Sequence, residues 1–458
     1  MRSVIQFSLA LGLVGGIFGD VPTAYAQTPA AKAPTSGASS SSLWDSMDDD
    51  ARLKLFKSSA ERGDATAQWI LGSRYESGNN VPQDYAIAAS WYRKAADQGQ
   101  VRAQFNLGLM YYQGRGVPKD LTLAADWFRK AAEQGEAAAQ RNLGFMYFDG
   151  QGVAQDFAQA MTWTQRAADQ GDADAQRNLG SRYYNGQGVK QDYAIAASWY
   201  QKAAGRGNLF SQYRLGDMYY NGQGVKQDYT IASFWYLEAA NQGNMYTQSR
   251  LGTMYFNGQG VKQDYAISAS WHRKAADQGS AFSQYWLGSM YFNGQGVPLD
   301  FAAAASWLRK AADQGDASAQ RFLAEMYFDG HGVPQDLALA VGWFRKAAEQ
   351  GEAESQRKLG FMYGNGQGVP QDFEQALAWT QRAADQGDFS AQFNLGVAYF
   401  NGRGVPQDFV QAHKWYNLAA ASGETTAAEV RDFVAEKMTP AQIAEAQKLA
   451  REWRKKKE

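Results

Sequence analysis

The chain of 458 residues contains no cysteine, three histidines and ten prolines. Without cysteine there is no disulfide and no thiolate nucleophile, and the cysteine-based zinc motifs are excluded. His272, His331 and His413 form no pair at metal-ligand spacing, and a nucleophile, base and orienter triad has no evident members. The reading is therefore no enzyme: no catalytic residue, no metal site and no cofactor. Neither sign of charge is in excess, with 45 basic against 46 acidic residues and a formal net charge of −1. That balance points to neither nucleic acid nor an anionic membrane.

What the sequence has in abundance is repetition. Gln recurs at 68, 104, 140, 176, 212, 248, 284, 320, 356 and 392, and Trp at 91, 127, 163, 199, 235, 271, 307, 343, 379 and 415. The period is 36 residues with no insertion or deletion, giving ten units between Asp64 and Gly423. Fixed-period similarity of this length marks a solenoid of stacked supersecondary units.

Each unit reads as a helix hairpin. In the second, Ala103, Leu107 and Tyr111 recur at helical spacing on one face. Gly114 supplies the left-handed residue that ends this helix, Val117-Pro118 continues extended, and Asp120 is a natural N-cap for the next. The second helix buries Leu123, Trp127 and Ala131 and ends at Gly135. A buried Trp removes about 150 to 250 Å² from water, so the ten Trp are expected to form the spine of the core. The Gly-x-Gly segments follow a helix rather than a strand and lack a third glycine, which excludes a dinucleotide loop. One Asp per loop is too few for calcium.

The pattern Ala-x-x-Gln-x-x-Leu-Gly, Gly-x-Gly-Val, Asp, Trp and Lys-Ala-Ala-x-x-Gly resembles the Sel1-like repeats, relatives of the tetratricopeptide repeats. The resemblance implies an all-α, right-handed superhelical solenoid that acts as a scaffold or adaptor, often exported in bacteria.

The flanks complete the plan. Arg2, the apolar run Val4 to Phe18 and the Ala24-Tyr25-Ala26 site read as a cleaved signal peptide over 1–26, the apolar run being too short for a comfortable transmembrane span. A periplasmic or secreted protein with no integral membrane segment after cleavage is expected. Residues 27–44 are a flexible linker rich in Ala, Ser, Thr, Pro and Gly. Residues 45–63 resume the repeat in mid-unit, with Asp48 in the N-cap slot, Leu55 in the Trp slot and Phe56 in the following one, and should form an N-terminal capping helix. Residues 64–423 are the ten repeats. In 424–458, Thr439-Pro440-Ala441-Gln442 is a helix start with a capping box, so two capping helices precede a short basic tail.

Departures stand out against so regular a background. Asn80 takes a second-glycine position, Ala324 replaces a glycine, His272 replaces a ring, and Gly364 stands where Tyr or Phe is usual and should leave a gap or groove.

At 100° per residue, positions equivalent to 102, 105, 106, 109 and 113 point away from buried Leu107, and by resemblance to tetratricopeptide arrays this first helix lines the concave surface. Two rows vary there: Trp69, Phe105, Arg141, Arg177, Tyr213, Ser249, Tyr285, Arg321, Arg357, Phe393, and Ile70, Asn106, Asn142, Asn178, Arg214, Arg250, Trp286, Phe322, Lys358, Asn394. Aromatic residues and Arg are enriched at binding surfaces. A protein or peptide partner is expected on this face; the alternative is cell-wall glycan, with Trp69, Tyr285, Trp286 and Phe322 stacking on sugar rings.

Overall fold

A computed structural model describes residues 49–421 and 425–455. The signal peptide, the linker, Asp48, Gly423 and Lys456-Lys457 lie outside the described residues. Among those described there are 23 helices and no strand, so the chain is an all-α solenoid of helix hairpins. It divides into two compact units, one ending at Asp120 and one beginning at Leu121. The first holds Asp49–Glu61, Ala65–Ser77, Tyr85–Asp97 and Val101–Gln113; the second runs from Leu121–Glu133 to Pro440–Lys455.

The fifth repeat shows how one hairpin is built. Asn208 caps Leu209–Asn221 by accepting from the Ser211 N–H at 3.0 Å. Gly222 stops that helix in the left-handed region at φ 70° and donates to the Met218 carbonyl. The extended Asp228 then starts Tyr229–Asn241 by accepting from the Thr230 and Ile231 N–H groups at 2.9 and 3.0 Å. Each cap satisfies a donor or acceptor that the helix end leaves open. Asn80, at φ 58°, is the non-glycine residue that takes the left-handed conformation in the first repeat.

The two turns of a repeat differ. The second glycine of most Gly-x-Gly loops sits on the backbone of the preceding repeat: a Cβ at Gly260 would lie 2.1 Å from the Tyr229 carbonyl oxygen, and one at Gly296 as close to that of Tyr265, whereas one at Gly188 would meet the Phe157 side chain at 3.0 Å. At the turn that ends the second helix, a Cβ on Gly243 or Gly279 would meet nothing within 4 Å.

The expected tryptophan column is largely buried, with Trp127, Trp163, Trp199, Trp271, Trp343, Trp379 and Trp415 at 2 to 8 % exposure, but it is not the innermost one. The most deeply buried large rings stand at the residue after the Trp: Tyr92, Tyr200, Tyr236, Phe344 and Tyr416 are all buried to 2 % exposure or less. Each of the four Tyr rings lies against the glycine of Leu-Gly in the first helix of its own repeat, a position that Ala324 holds in the repeat of Phe344. A Cβ on Gly216 would stand 2.6 Å from the Tyr236 ring, and one on Gly180 equally close to that of Tyr200. The glycine therefore makes room for the ring. Trp91, Trp235 and Trp307 are only half-buried, because the Trp column lies at the edge of the core. There a basic residue three positions on covers the indole face: Lys202 lies 3.8 Å from the Trp199 ring, Lys310 3.8 Å from that of Trp307 and Lys346 3.8 Å from that of Trp343. Trp235 has Glu238 at that position.

A helix outside the ten repeats packs at either end of the array. Leu53 and Ala60 of Asp49–Glu61 are buried with Ala67 and Leu71, and Phe56 packs against them, whereas Leu55 in the Trp slot is exposed. At the other end Thr439 and Gln442 form a reciprocal capping box, Thr439 N–H donating to Gln442 Oε1 at 2.9 Å and Gln442 N–H to Thr439 Oγ1 at 3.3 Å. Pro440–Lys455 lays Ala446 and Ala450 into the core and sets Trp453 edge-on to Trp415 at 6.3 Å. The Trp453 indole donates to Asp385 at 3.3 Å.

Candidate functional site

The repeated Gln binds neighbouring hairpins together. Gln212 Nε2 donates to the Ala204 carbonyl at 3.3 Å and its Oε1 accepts from Gln242 Nε2 at 2.7 Å, 30 residues on. Gln248 repeats the pattern with Ala240 at 3.1 Å and Gln278 at 2.7 Å. In the fourth repeat Arg206 replaces the second Gln, Gln176 Oε1 is left without a partner, and a hollow of about 340 Å³ opens beside Lys202 and Arg206.

Over this frame lie the two rows singled out in the sequence. They fall on the first helices, mostly half-buried, with Ser249 buried and Asn394 exposed. Within the first unit, Trp69 carries the Arg102 guanidinium 5.2 Å from its ring centre, and Ile70, Phe105 and Asn106 are half-buried. In the second unit, Arg141 pairs with Asp172 at 2.7 Å and Asp174 at 3.5 Å, and Arg177 reaches Asp174 at 3.8 Å. Arg321 pairs with Glu325, Glu352 and Glu354 at 2.6, 3.6 and 3.4 Å, and Arg357 with Glu354 and Asp388 at 3.3 and 3.5 Å. Asp172, Glu352 and Asp388 are the N-caps of the next repeats. These arginines therefore join one repeat to the cap of the following one, at about 1 kcal/mol or less per half-exposed pair.

The second row covers rings of the preceding repeat. Arg214 lies 4.2 Å from the Tyr184 ring, Lys358 5.4 Å from that of Phe328, Trp286 packs on Phe256 at 4.8 Å, and Phe322 on Phe292 at 4.8 Å. Arg250 lies over Tyr220 at 5.4 Å and donates through Nε to the Tyr246 hydroxyl at 2.8 Å. Asn142 and Asn178 are half-buried, and Phe393 meets Tyr416 edge-on at 5.3 Å.

Between the ion-paired repeats, the fifth to seventh repeats present rings. Phe210, Tyr213 and Tyr246 follow one another at 5.0 and 6.1 Å, and Phe282 and Tyr285 each approach Trp286 at 6.2 Å. Tyr246 is 41 % and Phe282 39 % exposed. Tyr246 also donates to Asp217 at 2.9 Å, and burial followed by that carboxylate pushes its hydroxyl pKa up to about 12. The column Phe210, Tyr246, Phe282 was not among the candidate residues; reading every 36th residue from Arg102 would have found it.

Gly364 leaves the expected groove. A hollow of about 250 Å³ lies among Phe361, Phe373, Leu377, Thr380, Val397 and Ala398, with Asn365, Asn394 and Arg403 also on its wall.

The histidines lie apart in different repeats. His272 is fully buried beneath Trp286, its ring parallel at 5.8 Å and Nδ1 3.2 Å from Ser283 Oγ, while His331 stacks on Phe301 and His413 is buried in Phe409–Ala420. Among the described residues no three His, Asp or Glu side chains are grouped to hold a metal, and no helix is long and apolar enough to cross a membrane.

The family model described as Sel1 repeat matches ten segments: 65–100, 101–136, 137–172, 173–208, 209–244, 246–280, 281–316, 317–352, 353–388 and 389–424. Among solved structures, a protective antigen of uropathogenic Escherichia coli strains that displays an SLR fold is 37 % identical, with a TM-score of 0.65 over 88 % of this chain and 94 % of that one. A Sel1 repeat protein from Oxalobacter formigenes is 35 % identical, with a TM-score of 0.52 over 67 % of this chain and 91 % of that one. No curated protein matches the sequence.

Proposed function

The chain belongs to the Sel1 repeat family of scaffolds, and on that premise we propose that it is an exported, non-enzymatic adaptor that holds a protein or peptide partner on the first-helix face of its repeats. The observation that carries this reading is the aromatic surface of the fifth to seventh repeats. Tyr246 and Phe282 are exposed there over a frame of buried Gln and Tyr, and exposed aromatic clusters on a rigid support are what protein interfaces use as anchors. The ion pairs of Arg141 and Arg321 fix the repeats on either side within the same unit. Tyr285, Trp286 and Phe322 are half-buried, and Trp286 and Phe322 turn against neighbouring rings, which favours a protein over a sugar. The apolar leader supports a periplasmic or secreted location, checked by sequencing the mature N-terminus.

The test is crosslinking of tagged protein in its native cell envelope, followed by mass spectrometry, for wild type and for a Tyr246→Ser, Phe282→Ser double variant. A reproducible set of proteins lost in the variant supports the reading. Capture of cell-wall fragments alone, or capture indifferent to the variant, refutes it.

A further inference from the structure

The hollow beside Gly364 arises because three large side chains are missing at one point. At intervals of one repeat, the last turn of the first helix carries Phe148, Tyr184, Tyr220, Phe256, Phe292, Phe328 and Phe400; the ninth repeat has Gly364. Thr380 stands in the column that holds Tyr200, Tyr236 and Tyr416, and Ala398 in the column that holds Met218, Met254, Met290 and Met362. The third repeat keeps the first of these side chains and stays filled. There Thr164 also replaces a ring, but Arg182 from the next repeat enters the space, donating to Thr164 Oγ1 at 3.2 Å and lying 4.4 Å from the ring of Phe148. Ala398, at the position of Arg182, has nothing to insert.

The vacancy lies where other repeats place a ring. In other repeats the ring of this column pairs with the first residue of the second helix: Phe148 with Phe157 at 5.3 Å, Tyr184 with Tyr193 at 5.0 Å, Tyr220 with Tyr229 at 5.1 Å, Phe292 with Phe301 at 5.0 Å and Phe400 with Phe409 at 5.6 Å. Phe373 holds that position in the ninth repeat and faces the hollow instead. The loop of the following repeat also reaches this point, for Gln223 accepts from the Tyr184 hydroxyl at 3.0 Å and Gln259 from that of Tyr220 at 3.3 Å. At the same loop position the tenth repeat carries Arg403, which is exposed, lines the hollow and has no carboxylate partner among the described residues.

We propose that this hollow receives one aromatic side chain of a peptide partner, with a carboxylate of that peptide paired to Arg403. The inference rests on the partner-binding reading and names the chemistry of one contact. A cavity of about 150 Å³ lined by Leu, Ile and Phe is known to hold benzene, so about 250 Å³ admits a phenyl or phenol ring. The guest restores the ring pair with Phe373, and a guanidinium takes a carboxylate by charge-assisted hydrogen bonds.

The probe is N-acetyl-4-fluoro-L-phenylalanine, followed by fluorine NMR against the mature chain. A ligand of this size should bind with a dissociation constant of about 1 mM, its carboxamide several-fold more weakly, and N-acetyl-L-alanine should fail to displace it. Gly364→Phe supplies the ring from within. A Cβ there meets only the Ala376 methyl at 3.6 Å, so the variant should keep or raise its melting temperature and lose at least tenfold in affinity; Ala398→Met is the second filling variant. Arg403→Gln should abolish the preference for acid over carboxamide. Probe binding unchanged in both folded filling variants, equal displacement by N-acetyl-L-alanine, or no binding at 10 mM would overturn the proposal. The Tyr246→Ser, Phe282→Ser variant should bind the probe as wild type does. If crosslinked partners vanish in that variant yet persist in Gly364→Phe, the scaffold reading stands and the hollow is not its anchor. Probe binding without any captured protein refutes the scaffold reading and leaves the hollow as a ring-binding site.

Discussion

His272 makes the sixth repeat sensitive to acid. It occupies the column where other repeats bury Tyr92, Tyr200 or Tyr236, and its ring is packed against Gly252 and Trp286 with Ser283 at 3.2 Å as its polar neighbour. Burial lowers its pKa from 6.5 to about 3. The folded chain therefore keeps the imidazole neutral while the unfolded chain binds a proton below pH 6.5, so stability falls as the pH drops from about 6.5 towards 3. With those two values the loss at pH 5 relative to pH 8 is about 2 kcal/mol, rising to about 3 kcal/mol at pH 4. His272→Tyr removes the titration and keeps a ring over Gly252. The register that joins Tyr200 to Ser181 and Tyr236 to Asp217 would place its hydroxyl beside Thr253. The assay is native-state hydrogen exchange of amides in Tyr265–Asp277 and Ala281–Asn293 at pH 8 and pH 5, corrected for intrinsic rates. It resolves one repeat in an array that need not unfold as a single transition. Wild type should lose about 2 kcal/mol of protection more than the variant between the two pH values. An equal loss in both proteins would refute the assignment of the acid response to His272.

Three further outcomes are expected from the packing. Tyr236→Ala should cost about 3 to 5 kcal/mol in chemical denaturation, and the half-buried Trp235→Ala about half as much; the reverse order would restore the tryptophan spine. Gln248→Leu removes its bonds to the Ala240 carbonyl and Gln278, which keep Gly243 N–H and the Lys274 carbonyl as partners, and should cost about 0.5 to 1.5 kcal/mol, read as lost amide protection at the joint between the fifth and sixth repeats. Arg182 is a buried cation whose pKa burial lowers to about 10, so Arg182→Met, which restores the residue found at 146 and 218, should raise stability by about 1 to 2 kcal/mol; a lower denaturation midpoint would show that its contacts with Thr164 and Phe148 outweigh desolvation.

The hairpin, its caps and its period were legible because each depends on residues close in sequence: Asp228 before a helix, Gly222 after one, Thr439 and Gln442 three residues apart. The order of burial was not. Size alone ranks Trp above Tyr, but the residue after the Trp faces the glycine 20 positions earlier, and a Lys three positions later marks the Trp as the edge. Reading down one column also hides contacts that cross columns. Arg141 meets Asp172 across 31 residues, and Gln242 meets Gln212 across 30, offsets that a 36-residue comparison never aligns. The gap at Gly364 was visible as a missing ring. Its depth was not, because Thr380 and Ala398 belong to other columns that meet it only in the folded chain.

The unequal turns of the repeat decide where the chain can accept added sequence. Surface loops ordinarily tolerate insertion at small entropic cost. The Gly-x-Gly loop cannot, since the carbonyl of Tyr229 already occupies the space a single methyl would need at Gly260; one extra residue there would push adjacent hairpins apart. Length in this fold therefore changes by whole repeats, and the near-identical fourth to sixth repeats are what such copying leaves behind. The turn at Gly243 or Gly279 opens to solvent. A fluorophore or affinity handle grafted there would ride on every hairpin it is given without disturbing how that hairpin meets the next.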